Sequence, residues 1–289
     1  MLAARAPAKL NLTLRITGKR ADGYHLMESL VAFTEWHDSL MLAPADDIQC
    51  TISGPFAADA GEGEANLILK AVRLLQQAYP EATHGRGAHL HLRKDIPVGA
   101  GLGGGSSDAA AALKLLNAAW QLNLDTEDLH RLGLQLGADV PMFLVARPLV
   151  ARGIGEILSP LALALPNWHA VLVYPHQLLR TPDVYAAYQH QPRDEPPTPN
   201  PEDLPALMQL VRRGRNDLQR PAVGLCAAVG EVLLALETHP SMPLVARMSG
   251  SGACCFALHD TAQEATRMRD DLRARYPHWW VEMTGLRTA

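Results

Sequence analysis

Leu10, Leu12, Leu14 and Ile16 alternate with Asn11, Thr13, Arg15 and Thr17, the period of a strand with one buried face. Apolar stretches at Leu30–Trp36, Ser39–Ala43 and Ile48–Ile52 predict further short strands. Asn66 is placed to cap a helix whose stripe would be Leu67, Ala71, Leu74, Leu75 and Ala78. His89–Arg93 reads as a strand that buries Leu90 and Leu92. A glycine-rich loop follows, then a long helix with Ala109, Leu113, Leu116 and Trp120 along one face. Thr126 is the expected cap of the next helix, and Gly137 its end.

The second half is less regular. Leu149–Leu158 predicts a hairpin turned at Gly153 and Gly155, and Ala170–Tyr174 another strand. Thr181-Pro182 reads as a helix cap followed by a first-turn proline. Gln191–Pro201 is too rich in proline for helix or sheet and is expected to be a surface loop or linker. Helices are expected at Asp203–Arg213 and Val223–Thr238. Strands at Leu244–Met248 and Ala253–Leu258 flank a Ser-Gly-Ser-Gly turn. Thr261 and Glu264 form a capping box for a helix to about Tyr276, and Trp279–Met283 closes as a strand. Strands and helices are mixed rather than alternating, so α+β is expected, not a doubly wound sheet.

At 289 residues the chain is one large domain or two closely packed ones, and a boundary near residue 158 gives domains 1–158 and 159–289. Hydrophobic residues make up 48% and aromatics only 5%, which predicts a large core of aliphatic and alanine side chains. The 26 basic and 30 acidic residues sum to −4, which argues against a nucleic-acid binder. No uncharged apolar stretch is long enough to span a membrane, and the N-terminus lacks the pattern of a secretory signal. Cys50, Cys226, Cys254 and Cys255 contain no C-x-x-C pair; buried thiols in a reducing cytoplasm are expected.

The strongest local signal is Pro97-Val98-Gly99-Ala100-Gly101-Leu102-Gly103-Gly104-Gly105-Ser106-Ser107-Asp108, running directly into an alanine-rich helix. Five glycines in seven residues leave the backbone N–H groups open to an anion. The helix start adds unpaired donors and the positive end of a dipole. A simple glycine-rich cap would need fewer special residues. Gly99, Gly101 and Gly104 also fit the dinucleotide pattern G-x-G-x-x-G, but Pro97 interrupts the approach and Asp125 lies in a loop. No Gly-Lys-Ser/Thr occurs, so a Walker loop is excluded. The loop points to phosphate without fixing the fold.

Three separated segments together resemble the GHMP kinases: this loop, Pro7-Ala8-Lys9-Leu10-Asn11-Leu12, and Met248-Ser249-Gly250-Ser251-Gly252-Ala253-Cys254. Asp22-Gly23-Tyr24-His25, the triple glycine before Ser106-Ser107-Asp108, and Gly137-Ala138-Asp139-Val140-Pro141 narrow the resemblance. They are similar to the branch that phosphorylates a cytidine-diphosphate derivative of methylerythritol in the non-mevalonate route to isoprenoids. The resemblance implies a two-domain fold with the active site in the cleft between domains, ATP along the glycine loop, and Mg²⁺ with ligands unassigned. It implies no nucleic acid or membrane as partner and leaves the oligomeric state open.

Residue by residue, Asp139 matches the family's catalytic aspartate; from the residues alone it could equally cap a turn. Lys9 matches the catalytic lysine, which would make the accepting hydroxyl more acidic or orient Asp139 and the phosphoryl group. Without the family, a lysine on the polar face of that strand would be solvated. Tyr24 and His25 are expected to bind the cytosine, with Tyr185 against its other face, although Asp22–His25 also reads as an ordinary polar turn. Asn11 is expected at the erythritol part, and Thr181 with the substrate residues. Asn66 and Lys94 match positions near the adenine, or are a helix cap and a surface charge.

His89 and His91 share one strand face without an evident third ligand, and an exposed polar face is the expectation. Arg212, Arg213, Arg215 and Arg220 read as a solvated basic face. The rival functions are a homoserine- or mevalonate-type kinase, an NAD-dependent oxidoreductase, and a non-catalytic sensor that keeps the fold.

Overall fold

The structure is a computed structural model and describes residues 1–61, 63, 66–189 and 197–288. In chain order its elements are β1 (Leu2–Asn11), β2 (Arg15–Lys19), β3 (His25–Ala43), β4 (Ile48–Ser53), α1 (Leu67–Ala78), α2 (Pro80–Thr83), β5 (Ala88–Arg93), α3 (Gly104–Ala119), α4 (Thr126–Leu136), α5 (Val140–Val145), β6 (Leu149–Gly153) and β7 (Ile157–Pro160). They continue with β8 (His169–Tyr174), α6 (Thr181–Ala187), α7 (Leu204–Arg213), α8 (Gln219–Leu225), α9 (Ala227–Glu237), β9 (Val245–Met248), β10 (Cys255–His259), α10 (Ala262–Arg275) and β11 (Trp280–Gly285). The mixed composition follows the α+β expectation. Among the described residues no helix is long and apolar enough to cross a membrane.

Two compact units are built from interleaved segments. The first comprises Met1–Ala8, Trp36–Val98 and Gly103–Ala146; the second comprises Lys9–Glu35, Gly99–Leu102 and Arg147–Ala289. A single cut at residue 158 describes neither, because β1, β3 and the glycine loop each contribute to both.

In the first unit β5 pairs in parallel with β4 (Cys50 opposite Leu90) and antiparallel with the end of β3 (Leu40 opposite Leu92). Helix α3 packs on α1, α4 and α5 and is buried almost all round, from Ser107 through Leu113. Its alanines let these neighbours approach closely, which is why one stripe understates its burial. Helix α1 begins where expected, with Asn66 Oδ1 accepting from Ile68 N at 2.8 Å. The buried stripe is Ile68, Ala71, Val72 and Leu75, rotated from the expected one. Helix α4 is capped by Asp125, not Thr126, through Asp128 N at 2.9 Å.

In the second unit β2, β3, β6 and β7 form an antiparallel set, with Leu30 opposite Val150 and Ala151 opposite Leu158. A separate antiparallel sheet runs β11-β8-β10-β9. The strands expected at 30–36 and 39–43 are one continuous strand, β3, since Glu35–Ser39 stays extended despite its polar residues. The helix expected at 223–238 breaks at Cys226, whose extended backbone separates α8 from α9. Thr181 does not cap α6 but is its first residue, and its hydroxyl bonds to Ser251 Oγ at 2.8 Å. At the start of α10, Thr261 Oγ1 accepts from Glu264 N at 3.3 Å, while the two side chains bond each other at 2.8 Å rather than closing a reciprocal box.

The first part of the proline-rich prediction, 191–196, lies outside the described residues. Downstream, Thr198 is buried and pinned: its N–H donates to Glu28 Oε2 at 2.6 Å and its carbonyl accepts from Arg152 Nη2 at 2.7 Å. Arg15 lies 2.5 Å from the same carboxylate. These bonds hold the Glu28 carboxyl below its usual range against the opposing effect of burial. All four cysteines are free thiols, but only Cys254 and Cys255 are buried, which corrects the expectation for Cys50 and Cys226.

Candidate functional site

The glycine loop divides its residues between the units. In the first unit Ile96 and Pro97 are buried, Val98 is half-buried, and Gly103 turns with φ 70° into α3. The first intrahelical bond there is Ser107 N to Gly103 O at 2.9 Å. The helix start at Gly104, Gly105 and Ser106 therefore presents the unpaired N–H groups that every helix has at its first turn. Gly105 is exposed, Ser106 half-buried, and Ser107 buried. This end of the loop can receive an anion.

Behind it lies a buried ion cluster. Lys94 is 2% exposed and its ammonium reaches Asp38 Oδ2 at 2.5 Å and Asp108 Oδ2 at 2.7 Å. Lys94 is therefore not a surface charge. Asp38 Oδ1 also accepts from Asp95 N and Ile96 N at 2.6 and 2.8 Å, holding the chain that enters the loop. The two carboxylates hold the Lys94 ammonium above its ordinary range although burial acts the other way. Burial raises the Asp108 carboxyl to about 7, with the Lys94 charge opposing that rise.

Asp139 stands at the start of α5 in the same unit. It is half-buried, and its carboxylate makes no cap of the helix and no hydrogen bond or ion pair among the described residues. Capping is thus not what occupies it, and the carboxylate is open to accept a proton or a hydroxyl.

The second unit brings Lys9, Asn11, the start of the glycine loop and the late Ser249–Gly252 turn together. Lys9 is 5% and Asn11 3% exposed, so the supposedly solvated face of this strand is covered. The Lys9 ammonium donates to Asn11 Oδ1; Asn11 Nδ2 donates to Ser29 Oγ at 2.7 Å, and Ser29 Oγ to Thr13 O at 2.5 Å. Lys9 N donates to Leu102 O at 2.9 Å, and Cys254 N to Ala100 O at 3.0 Å. Ser249 Oγ accepts from Asn11 N at 3.3 Å and donates to Gly101 O at 3.1 Å. Gly101, at φ 80°, has no room for a side chain: a β-carbon would lie 3.0 Å from both Gly252 N and Gly252 O.

Asn216 holds the late turn from behind. Its amide donates to Met248 O at 2.8 Å and Gly250 O at 2.7 Å, and its oxygen accepts from Leu218 N at 2.9 Å. The Arg247 guanidinium donates to the carbonyls of Leu12, Val211 and Gly214. Burial lowers its pKa to about 10. Sequence reasoning marked the turn as a family motif but gave no role to Ser29, Asn216, Ser249, Asp38 or Asp108. Their signal is burial and partners, which have no local spacing.

An aromatic group lies elsewhere in the second unit. The His25 ring is 5.2 Å from Tyr185, tilted by 32°, and 6.0 Å from Tyr188, edge-on. Tyr188 was missed; it follows Tyr185 by three residues, the helical spacing that puts both near one face. Tyr24 is 62% exposed and is not in this ring group. Thr181 is exposed and tied to Ser251. His89 and His91 bond Thr51 and Ser53 hydroxyls at 2.9 to 3.0 Å. Among the described residues no three His, Cys, Asp or Glu side chains are grouped to hold a metal.

Known proteins extend this geometry. The family profile for the GHMP kinases N terminal domain matches residues 66–147, and that for GHMP kinases C terminal matches 200–278. A 4-diphosphocytidyl-2-C-methyl-D-erythritol kinase of Roseobacter denitrificans is 46% identical over 97% of this chain and 92% of its own. One from Chelativorans sp. is 41% identical over 98% and 96%. A crystal structure of 4-(cytidine 5'-diphospho)-2C-methyl-D-erythritol kinase superposes with a TM-score of 0.79 at 36% identity, covering all of both chains. The homoserine kinase of Cytophaga hutchinsonii shares the fold, with a TM-score of 0.69 at 17% identity over 99% and 95%. With both family domains matched and near full-length identity above 40%, the chain belongs to the GHMP kinase family of ATP-dependent small-molecule kinases.

Proposed function

We propose that this chain transfers the γ-phosphoryl group of ATP to a hydroxyl of 4-diphosphocytidyl-2-C-methyl-D-erythritol, giving the 2-phosphate and ADP. The reaction belongs to the non-mevalonate route to isoprenoid precursors and takes place in the cytoplasm. The observation that carries the reading is identity of 41 to 46% across nearly the whole chain to relatives bearing that enzyme's name.

Phosphoryl transfer passes through a loose transition state, so the residues chiefly position groups and stabilise charge. The loop from Pro97 to Ser107 cradles the triphosphate, and Asn66 lies toward the base of the nucleotide. Mg²⁺ would accompany the nucleotide and would supply charge neutralisation on its phosphates. The acceptor oxygen attacks the γ-phosphorus as the bond to the bridging oxygen breaks and its electron pair leaves with ADP. Asp139 takes the hydroxyl proton. Lys9, its ammonium aimed by Asn11, meets the charge that develops on the oxygens. Asn11 faces the erythritol, while Tyr24, His25, Tyr185 and Thr181 hold the cytidine end by stacking and hydrogen bonds.

An assay of ADP release with 4-diphosphocytidyl-methylerythritol, homoserine and mevalonate tests this directly. Turnover of the cytidine compound alone is expected. Turnover of either other alcohol, with none of the cytidine compound, would overturn the proposal.

A further inference from the structure

The Asp38–Lys94–Asp108 cluster is unbalanced: two buried carboxylates share one ammonium. Asp38 uses both oxygens, one on Lys94 and one on two backbone N–H groups. Asp108 uses only Oδ2; its Oδ1 is buried and has no hydrogen-bond partner. A β-carbon on Gly104 would lie 2.8 Å from Lys94 Nζ, so the ammonium sits directly against the first residue of α3. Asp108 is four residues further along that helix, about 6 Å from its start at 1.5 Å rise per residue.

We propose that Asp108 takes up a proton when the phosphates of a nucleotide occupy the start of α3, so that this buried carboxyl couples nucleotide affinity to pH. This rests on reading the glycine loop as the phosphate site. A triphosphate there adds negative charge within one helical turn of a carboxylate that already shares its counter-ion. Like charge nearby favours the neutral carboxyl. Protonation removes the excess negative charge, gives the unpartnered oxygen the capacity to donate, and leaves Lys94 to Asp38 and to the field of the phosphates.

The groups facing Asp108 divide, with burial and Asp38 acting against Lys94. Lys94 opposes protonation and Asp38 favours it. The Cys50 thiol on β4 is pushed above its usual range by its own burial and by the Asp108 charge. Lys70 and Arg73 on α1 and Arg131 on α4 are exposed, where water screens them. Burial raises the Asp108 carboxyl to about 7, which brings its protonation within reach of neutral pH.

The test is calorimetric titration of the full chain with the Mg²⁺ complex of a non-hydrolysable ATP analogue, in two buffers of different ionisation heat. Binding near neutral pH should take up a fraction of a proton per nucleotide, and affinity should fall as pH rises from 6 to 8, because the bound state holds the proton more tightly. Asp108→Asn should bind with almost no uptake and a flat affinity profile. A purely structural Asp108 would leave the proton count unchanged. Equal uptake in the parent and in Asp108→Asn, both binding nucleotide, would overturn the coupling while leaving the loop reading in place. Unchanged nucleotide affinity in folded Gly105→Val would overturn the loop reading and the coupling with it. The parent alone also decides: uptake should shrink as pH falls, because the free protein then already holds the proton, and a flat profile of uptake overturns the proposal.

Discussion

Gly250 lies over the Lys9 ammonium: a β-carbon at this position would come within 2.9 Å of Nζ and 3.3 Å of Asn11 Oδ1. A turn 241 residues downstream thus limits where the lysine can point. Gly250 has φ 57°, and Asn216 holds its carbonyl at 2.7 Å. Gly250→Ala should therefore push Lys9 aside and also strain the turn by roughly 1 kcal/mol. The expected outcome is a loss of kcat of about tenfold or more, with a small drop in melting temperature and little change in the KM for ATP. Steady-state kinetics with a melting curve check it; a folded variant within twofold of the parent kcat would free Lys9 from this constraint.

At the other end of the glycine loop, Gly105 offers a cleaner probe of the phosphate site than its neighbours. Gly103 has positive φ and Gly104 is against Lys94, so side chains at either would disturb the fold. Gly105 is exposed, and a β-carbon there would meet only Leu67 Cδ1 at 3.4 Å. Gly105→Val should keep the parent's stability within about 0.5 kcal/mol, as surface substitutions usually do. It should weaken ATP at least tenfold by covering the open N–H groups. Nucleotide titration beside a thermal melt separates the two effects.

Those expectations mark where sequence was informative and where it was not. The glycine loop, the β6–β7 hairpin and the Asn66 cap are local: each is specified by residues within a few positions of one another. In sequence Lys94 reads equally as a surface charge because its counter-ions are 56 residues before and 14 after it. Alternation puts Lys9 on a polar face because it identifies one buried side and does not show that other segments cover the second. The two interleaved units were equally hidden, since β3 runs without a break through the point where one unit gives way to the other.

The proposed function assigns substrate specificity to the aromatic group. His25 lies 5.2 Å from Tyr185 and 6.0 Å from Tyr188, and the proposed function puts the cytosine against this ring group. Loss of one stacking partner and one hydrogen bond is worth about 1 to 3 kcal/mol. His25→Ala should therefore raise the KM for the cytidine substrate roughly 10- to 100-fold and leave that for ATP within about twofold. Tyr188→Ala should share the direction with a smaller effect. Equal changes in both KM values for His25→Ala would move the base-binding site elsewhere.

An alcohol is a poor nucleophile at neutral pH, and the donors of the glycine loop can stabilise phosphate but cannot accept the alcohol's proton. Asp139 can, because its carboxylate is committed neither to capping α5 nor to any other hydrogen bond among the described residues. General-base assistance is worth about 10² to 10⁴ in rate. Asp139→Asn keeps the shape of the side chain and should lose that factor in kcat while binding ATP normally. Lys9→Ala should lose a similar factor and also release Asn11, whose oxygen the lysine engages. Lys9→Met keeps the aliphatic stem and removes only the charge, so agreement between the two lysine variants would assign the loss to the ammonium rather than to packing. If both residues act on the same hydroxyl, the variant lacking both should fall far short of the product of the single losses, as groups that work as a unit do. Multiplicative losses would mean separate steps, and a kcat within a few-fold of the parent in folded Asp139→Asn would remove the carboxylate from the reaction.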